Sequence, residues 1–135
     1  MGTRLRFIVP VMAAACILCL ARGGTHGKTG MSGSWLKNVP LYAGTRTNPY
    51  AQDQDAVAAG AKLFQRHCSS CHGKDANGTG RVPPVHSITV KNASPGALFW
   101  LLRNGLLRRG MPSWSRLPDE QRWQIVTYLQ SIQDR

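Results

Sequence analysis

Acidic residues are scarce in this chain of 135 residues: Asp and Glu together number 6, against 17 Lys and Arg. So positive a balance suits an anionic partner surface or plain solubility and says nothing of fold. Nucleic acid would fit it too, but the basic residues are scattered, with no basic helix and no RNA-binding motif, so no nucleic-acid partner is expected. Cysteine is also scarce, with 4 in all. Cys16 and Cys19 lie in an apolar N-terminal run, and Cys68 and Cys71 are the other two. No cysteine follows Cys71, which excludes a zinc ribbon, since that site needs a second pair downstream. A thioredoxin-like redox pair has no βαβ context here. A long apolar run is missing as well. Phe7–Ala21 is nearly all apolar apart from Pro10, yet a spanning helix wants about 20 such residues. The length fits one domain.

The N-terminus reads as an export signal over residues 1–24. Arg4 and Arg6 supply the positive start, Phe7–Ala21 the apolar region, and Ala21, Gly23 and Gly24 the small residues that follow. An uncleaved anchor, associating the chain with a membrane, is the alternative. Lipid attachment at Cys16 or Cys19 is disfavoured by the bulky Leu18 and by the short run before Cys16. Residues 25–50 are rich in Gly, Ser, Thr and Asn, with Pro40 and Pro49 as breakers. Trp35, Leu36, Val39, Leu41, Tyr42 and Tyr50 make them too apolar for a pure tether. The reading is an extended arm or linker lying on the domain, and the alternative is a surface that docks a partner. Residues 51–135 form the domain itself.

Cys68-Ser69-Ser70-Cys71-His72 carries the chemistry. Two cysteines three apart with a histidine directly after the second form the attachment signature of c-type haem. Each thiol becomes a thioether on one haem vinyl group, and His72 is left beneath the iron, where a neutral imidazole nitrogen ligates it. Export agrees with this, because such haem is attached outside the bacterial cytoplasm. With the leader removed, haem is the only covalent staple on a small core, and small cores commonly need one.

Helices are expected on either side. The first runs over 53–67, with Asp53 and Asp55 at the end where the helix dipole favours acids. Ala56, Gly60, Leu63, Phe64 and His67 share one face. Gly60 costs about 1 kcal/mol relative to Ala inside a helix, so something large should pack against its bare backbone. His67 is read as solvated. Beyond a turn-rich loop stands Val82-Pro83-Pro84-Val85. A proline carbonyl there could accept a hydrogen bond from the second ring nitrogen of His72, whereas composition alone favours a rigid loop with no polar role. A second helix spans 94–104, with Ser94 as cap, Pro95 at its first position and Gly105 as its stop. Then comes Arg108-Arg109-Gly110-Met111-Pro112-Ser113-Trp114. A soft thioether is a suitable sixth ligand for haem iron, and Gly110 and Pro112 restrict the backbone around Met111. Met31 and His86 are its competitors. A last helix spans 118–132, with Trp123, Ile125, Val126, Tyr128, Leu129 and Ile132 as its apolar face.

Taken together, residues 53–132 resemble the class I c-type cytochromes, small single-haem electron carriers. The resemblance implies an all-α, cytochrome c-like fold of three to four short helices around one covalently bound haem c. It implies that Gly60 and Phe64 pack against Ile125 and Tyr128. It gives the histidine-holding carbonyl to Pro84, with Pro83 as the alternative, and the sixth-ligand role to Met111, whose M-P-S-W setting is similar to the family's ligand loop. L-P-D-E-Q-R-W before the last helix is a familiar form too, while Val85-His86 replaces the family's usual leucine after the proline. The implied function is a periplasmic one-electron shuttle between redox proteins, not an enzyme. Leu98, Leu101, Leu102, Trp114 and Ile125 would line the haem. Among the basic residues, which include the cluster Arg103, Arg108 and Arg109, the expectation is that Lys74, Arg81, Arg108 and Arg109 steer acidic partners. Asn48-Pro49 looks like cytochromes that accompany quinoprotein dehydrogenases. One alternative is a haem enzyme or gas sensor with a displaceable sixth ligand and His86 as distal group. Another is a subunit of a larger oxidoreductase complex, docked through residues 25–50. The resemblance leaves the oligomeric state open.

Overall fold

The structure, a computed structural model, describes residues 33–80 and 82–134. The export segment, Met31 and Arg81 lie outside the described residues. The first of these form two short turns, a 3-10 turn at Ser34–Asn38 and one α turn, α1, at Leu41–Gly44. Asp53 then starts the first long helix, α2 (Gln54–His67). Its carboxylate accepts from the backbone N–H groups of Asp55 and Ala56 at 2.9 and 3.1 Å, filling two of the donors a helix N-terminus leaves open. Single turns follow, α3 at Ser69–His72 and α4 at Ile88–Lys91. Ser94 caps α5 (Pro95–Asn104) by accepting from the Ala97 N–H at 3.2 Å. Pro118 precedes α6 (Asp119–Ser131), which tightens into a 3-10 turn at Ile132–Asp134. Among the described residues there are no strands, only two isolated bridges, Thr79 with Val82 and Leu106 with Met111. The expected all-α, cytochrome c-like class is what the chain adopts, as three long helices joined by single turns.

Gly60 sets the central crossing of α2 on α6. A Cβ at that position would lie 2.0 Å from the Gln124 carbonyl oxygen and 2.8 Å from the Tyr128 Cβ. The missing side chain thus lets the two backbones touch. One turn on, the Phe64 and Tyr128 rings meet at 5.4 Å. Phe64, Ile125 and Val126 are fully buried beside them, each contributing about 1.5–3 kcal/mol relative to exposure. α5 closes the far side of α6, where Phe99 stacks on Trp123 at 4.2 Å.

Residues 33–50 are built onto this same core. Trp35 is buried in it. The Asn48 Nδ2 donates to Thr127 Oγ1 on α6 at 2.9 Å, and Ser94 Oγ donates to the Gly44 carbonyl at 2.7 Å. The arm is therefore folded into turns where an extended run was expected, because its apolar side chains and backbone groups find partners on α5 and α6.

Candidate functional site

α2 runs into the attachment turn almost without a break. The Cys68 N–H still bonds to the Phe64 carbonyl at 2.8 Å, while the Cys68 carbonyl accepts from Cys71 and His72 at 3.1 and 2.9 Å. Residues at i, i+3 and i+4 share a helical face. One turn therefore presents both thiols and the imidazole together, which is why the spacing works. Cys68 is buried and Cys71 exposed, and both thiols are free. Burial pushes the Cys68 thiol up to about 11, with repulsion from Cys71 adding to it, so it keeps its proton at neutral pH. Burial also lowers the pKa of His72, opposed by the Pro83 backbone carbonyl, which accepts from the ring. The net effect favours the neutral imidazole that can ligate a metal.

The backbone carbonyl that acts on His72 is that of Pro83, the alternative to Pro84. Glycines explain the selection. Gly73, at φ 78°, ends α3, and the Gly78 N–H returns to the His72 carbonyl at 2.7 Å. Gly78, also at φ 78°, lets Val82–Pro83 pass so closely that a Cβ there would lie 2.2 Å from the Val82 oxygen and 2.8 Å from the Pro83 carbonyl carbon. The Thr79–Val82 bridge and the Val85 N–H to Ala76 bond at 2.8 Å hold the return. Pro83, extended because Pro84 follows it, turns its carbonyl to the ring, and Pro84 lies exposed one residue on. The bond is loose: by strict donor–acceptor geometry the buried His72 Nδ1 has no partner.

Met111 is fixed from both sides. It exchanges two backbone hydrogen bonds with Leu106, 2.9 Å from the Leu106 N–H and 3.2 Å from its own. The turn between them, Leu107–Arg109, ends at Gly110 in the left-handed region at φ 84°. Beyond it, the Trp114 N–H donates to the Leu102 carbonyl at 2.9 Å and Ser113 Oγ to the Arg103 carbonyl at 2.6 Å. Gly105, expected only as a helix stop, does more. At φ 70°, with a Cβ position 2.7 Å from the Met111 oxygen, it lets the Met111 loop close onto α5. The Met111 side chain, half buried, packs on the same apolar core that holds Cys68.

Two thiols and an imidazole on one turn, with a thioether on a separate fixed loop, fit the donor set of a c-type haem. Leu98, Leu102 and Ile125 are buried in the adjoining core, and Leu101 and Trp114 pack against it. His86 does not stand as a free distal group. Its Nε2 lies 3.0 Å from the Asp75 carbonyl and its Nδ1 3.2 Å from that of Ile132, so it stitches the attachment loop to the end of α6. His67 is half buried, its ring 5.3 Å from that of Trp114, and is not simply solvated. Lys74, Arg103, Arg108 and Arg109 are exposed.

One supporting residue escaped the sequence reading. Arg122 is 3% exposed. Its Nη1 donates to the carbonyls of Trp114, Ser115 and Leu117 at 3.1, 2.9 and 2.5 Å, and its Nη2 pairs with Asp119. It ties down the segment after the Met111 loop. The signal available was a basic residue on the inner side of the last helix, next to Trp123.

The family model described as cytochrome C oxidase, cbb3-type, subunit III matches residues 55–129. Cytochrome c550 of Pseudomonas aeruginosa is 30% identical over 112 residues, spanning 80% of this chain and 74% of that protein. Quinohemoprotein alcohol dehydrogenase ADH-IIG of Pseudomonas putida is 34% identical over 80 residues, 58% of this chain but 11% of the dehydrogenase. The crystal structure of cytochrome CL from the marine methylotroph Methylophaga aminisulfidivorans superposes with a TM-score of 0.58 at 27% identity, covering 73% of this chain and 68% of that one. With the family matched over most of the helical core and the fold shared, the chain belongs to the class I c-type cytochromes, whose cofactor is covalently bound haem c.

Proposed function

We propose that this chain is an exported, periplasmic one-electron carrier, with a single haem held through Cys68 and Cys71 and ligated axially by His72 and Met111. Haem c, when bound, supplies a reversible Fe(III)/Fe(II) couple, and a Met/His pair raises its potential. The residues of the chain do the rest. The observation that carries this reading is the pairing of the attachment turn, Cys68 to His72, with a methionine whose backbone is bonded on both sides to Leu106. Burial favours the neutral form of His72. The apolar core around Cys68 and Met111 keeps a change of charge in a low-dielectric setting. With His72 and Met111 both ligating, no coordination position would be left for a substrate, and the ring nitrogens of His86 face the Asp75 and Ile132 carbonyls.

The partners are redox proteins with acidic docking surfaces, drawn to Lys74, Arg108 and Arg109. A quinoprotein dehydrogenase as donor is supported by the likeness to a quinohemoprotein alcohol dehydrogenase. An oxidase or another cytochrome as acceptor is supported by the family description. That description equally suits a cytochrome subunit of a larger oxidoreductase complex, with the same chemistry, and co-purification separates the two. Residues 1–24 direct export. Among the described residues no helix is long and apolar enough to cross a membrane.

A potentiometric titration with carbon monoxide added to the reduced protein tests the reading. A single one-electron transition and no spectral response to carbon monoxide are expected. A carbon monoxide complex forming at neutral pH would overturn it in favour of an open site.

A further inference from the structure

We infer that the cleft between α1 and α5 is a docking site for an acidic segment of the redox partner. The cleft measures about 280 Å³ and is lined by Tyr42, Ala43, Arg46, Phe99, Trp100, Arg103 and Asn104. No acid lines it, and Arg46 and Arg103 give it positive charge. Arg103 is exposed on α5 with no acidic partner among the described residues. The Tyr42 hydroxyl and the Trp100 indole N–H likewise have no partner there. Arg46 lies 4.4 Å above the Phe99 ring, which fixes its guanidinium plane, and reaches Asp119 only at 3.9 Å with its side chain 41% exposed. A guanidinium held on an aromatic face, with the Arg103, Tyr42 and Trp100 donors beside it, suits carboxylates. Next to the cleft, Leu41 and Tyr42 are 84% and 75% exposed, apolar contact area of the kind an interface centre uses.

Position gives the cleft its purpose. Its α5 wall carries the Arg103 carbonyl that accepts from Ser113 Oγ at 2.6 Å, two residues beyond Met111. A partner seated here lies against the methionine loop. The other wall, Tyr42, Ala43 and Arg46, precedes the region matched by the family model, which begins at residue 55. That the partner is a redox protein rests on the carrier reading, while the cleft's preference for carboxylates does not.

The test is a titration of the reduced, isotopically labelled holoprotein with a short oligoglutamate peptide, followed by nuclear magnetic resonance at low salt. The Trp100 indole N–H signal, identified with W100F, should move and saturate. Arg103→Glu should weaken binding about tenfold, while Lys62→Glu, the same charge change on the exposed face of α2, should weaken it by less than about twofold. A motionless Trp100 signal, or equal losses from the two variants, would overturn the proposal. So would free glutamate at the same carboxylate concentration reproducing the shift, because the site would then be one for small carboxylates. The absorption spectrum of the same sample judges the carrier reading separately.

Discussion

Replacing Gly60 with alanine puts one methyl group into the closest contact of the fold. The added Cβ would stand 2.0 Å from the Gln124 oxygen, 2.6 Å from the Gln124 carbonyl carbon and 2.8 Å from the Tyr128 Cβ. All three belong to α6 backbone or to the root of a side chain, so no rotamer change relieves them. Ordinary contact begins at 3.4 Å, and α2 and α6 must therefore separate by more than 1 Å. A gap of about 0.5–1 Å already forfeits a quarter to a half of the dispersion energy at the facing atoms. Overpacking of this kind costs about 1–3 kcal/mol or more. The helix propensity of alanine returns about 1 kcal/mol. A net loss of about 2 kcal/mol is expected, lowering the melting temperature of the holoprotein by on the order of 10 °C. Thermal unfolding followed by circular dichroism measures it. Ala58→Gly, at an exposed position of the same helix, calibrates the propensity term alone at about 1 kcal/mol. A Gly60→Ala protein as stable as the parent, or more so, would refute the close crossing.

Gly105→Ala adds a Cβ 2.6 Å from the Pro112 carbonyl carbon at φ 70°. It should weaken the methionine-dependent absorption while leaving covalent haem attachment intact, which denaturing gels stained for haem can check. Arg122→Met leaves three carbonyls between Trp114 and Leu117 without their buried donor and should destabilise the protein by about 3 kcal/mol in urea unfolding. In the chain before haem attachment, the Cys68 thiol is pushed up from 9.0 to about 11. The unfolded chain ionises first, so the associated stability is present below pH 9.0 and lost as pH rises toward about 11. Alkylation at neutral pH should then reach exposed Cys71 well before Cys68, and equal rates would count against the burial. For His72, whose pKa burial lowers, the sign reverses: the unfolded chain takes up the proton first, and haem-free stability falls as pH drops below the ordinary histidine range.

What could be read in advance was local. The attachment turn, the Asp53 and Ser94 caps and the helix cores depend on residues within one or two turns of each other. Gly60 was legible for the opposite reason, since a glycine unfavourable to its own helix signals a tertiary partner. The choice between Pro83 and Pro84 was not legible. It turns on a one-residue register set by how the loop folds back past Gly78, and nothing in the two prolines distinguishes them. Arg122 was hidden because its acceptors are carbonyls of an irregular segment, which carry no residue-type signature. The arm was hidden too. Trp35 and Asn48 find their partners far along the chain, and a composition rich in Gly, Ser and Asn looks the same whether or not such partners exist.

The most direct test of the account is the oxidised and reduced absorption spectrum of the exported protein beside that of Met111→Ala. The account predicts c-type reduced bands in both, and a weak red-edge band of methionine-ligated ferric haem in the parent that the substitution abolishes. A parent protein with c-type haem and no such band, or a band that survives the loss of Met111, would contradict it.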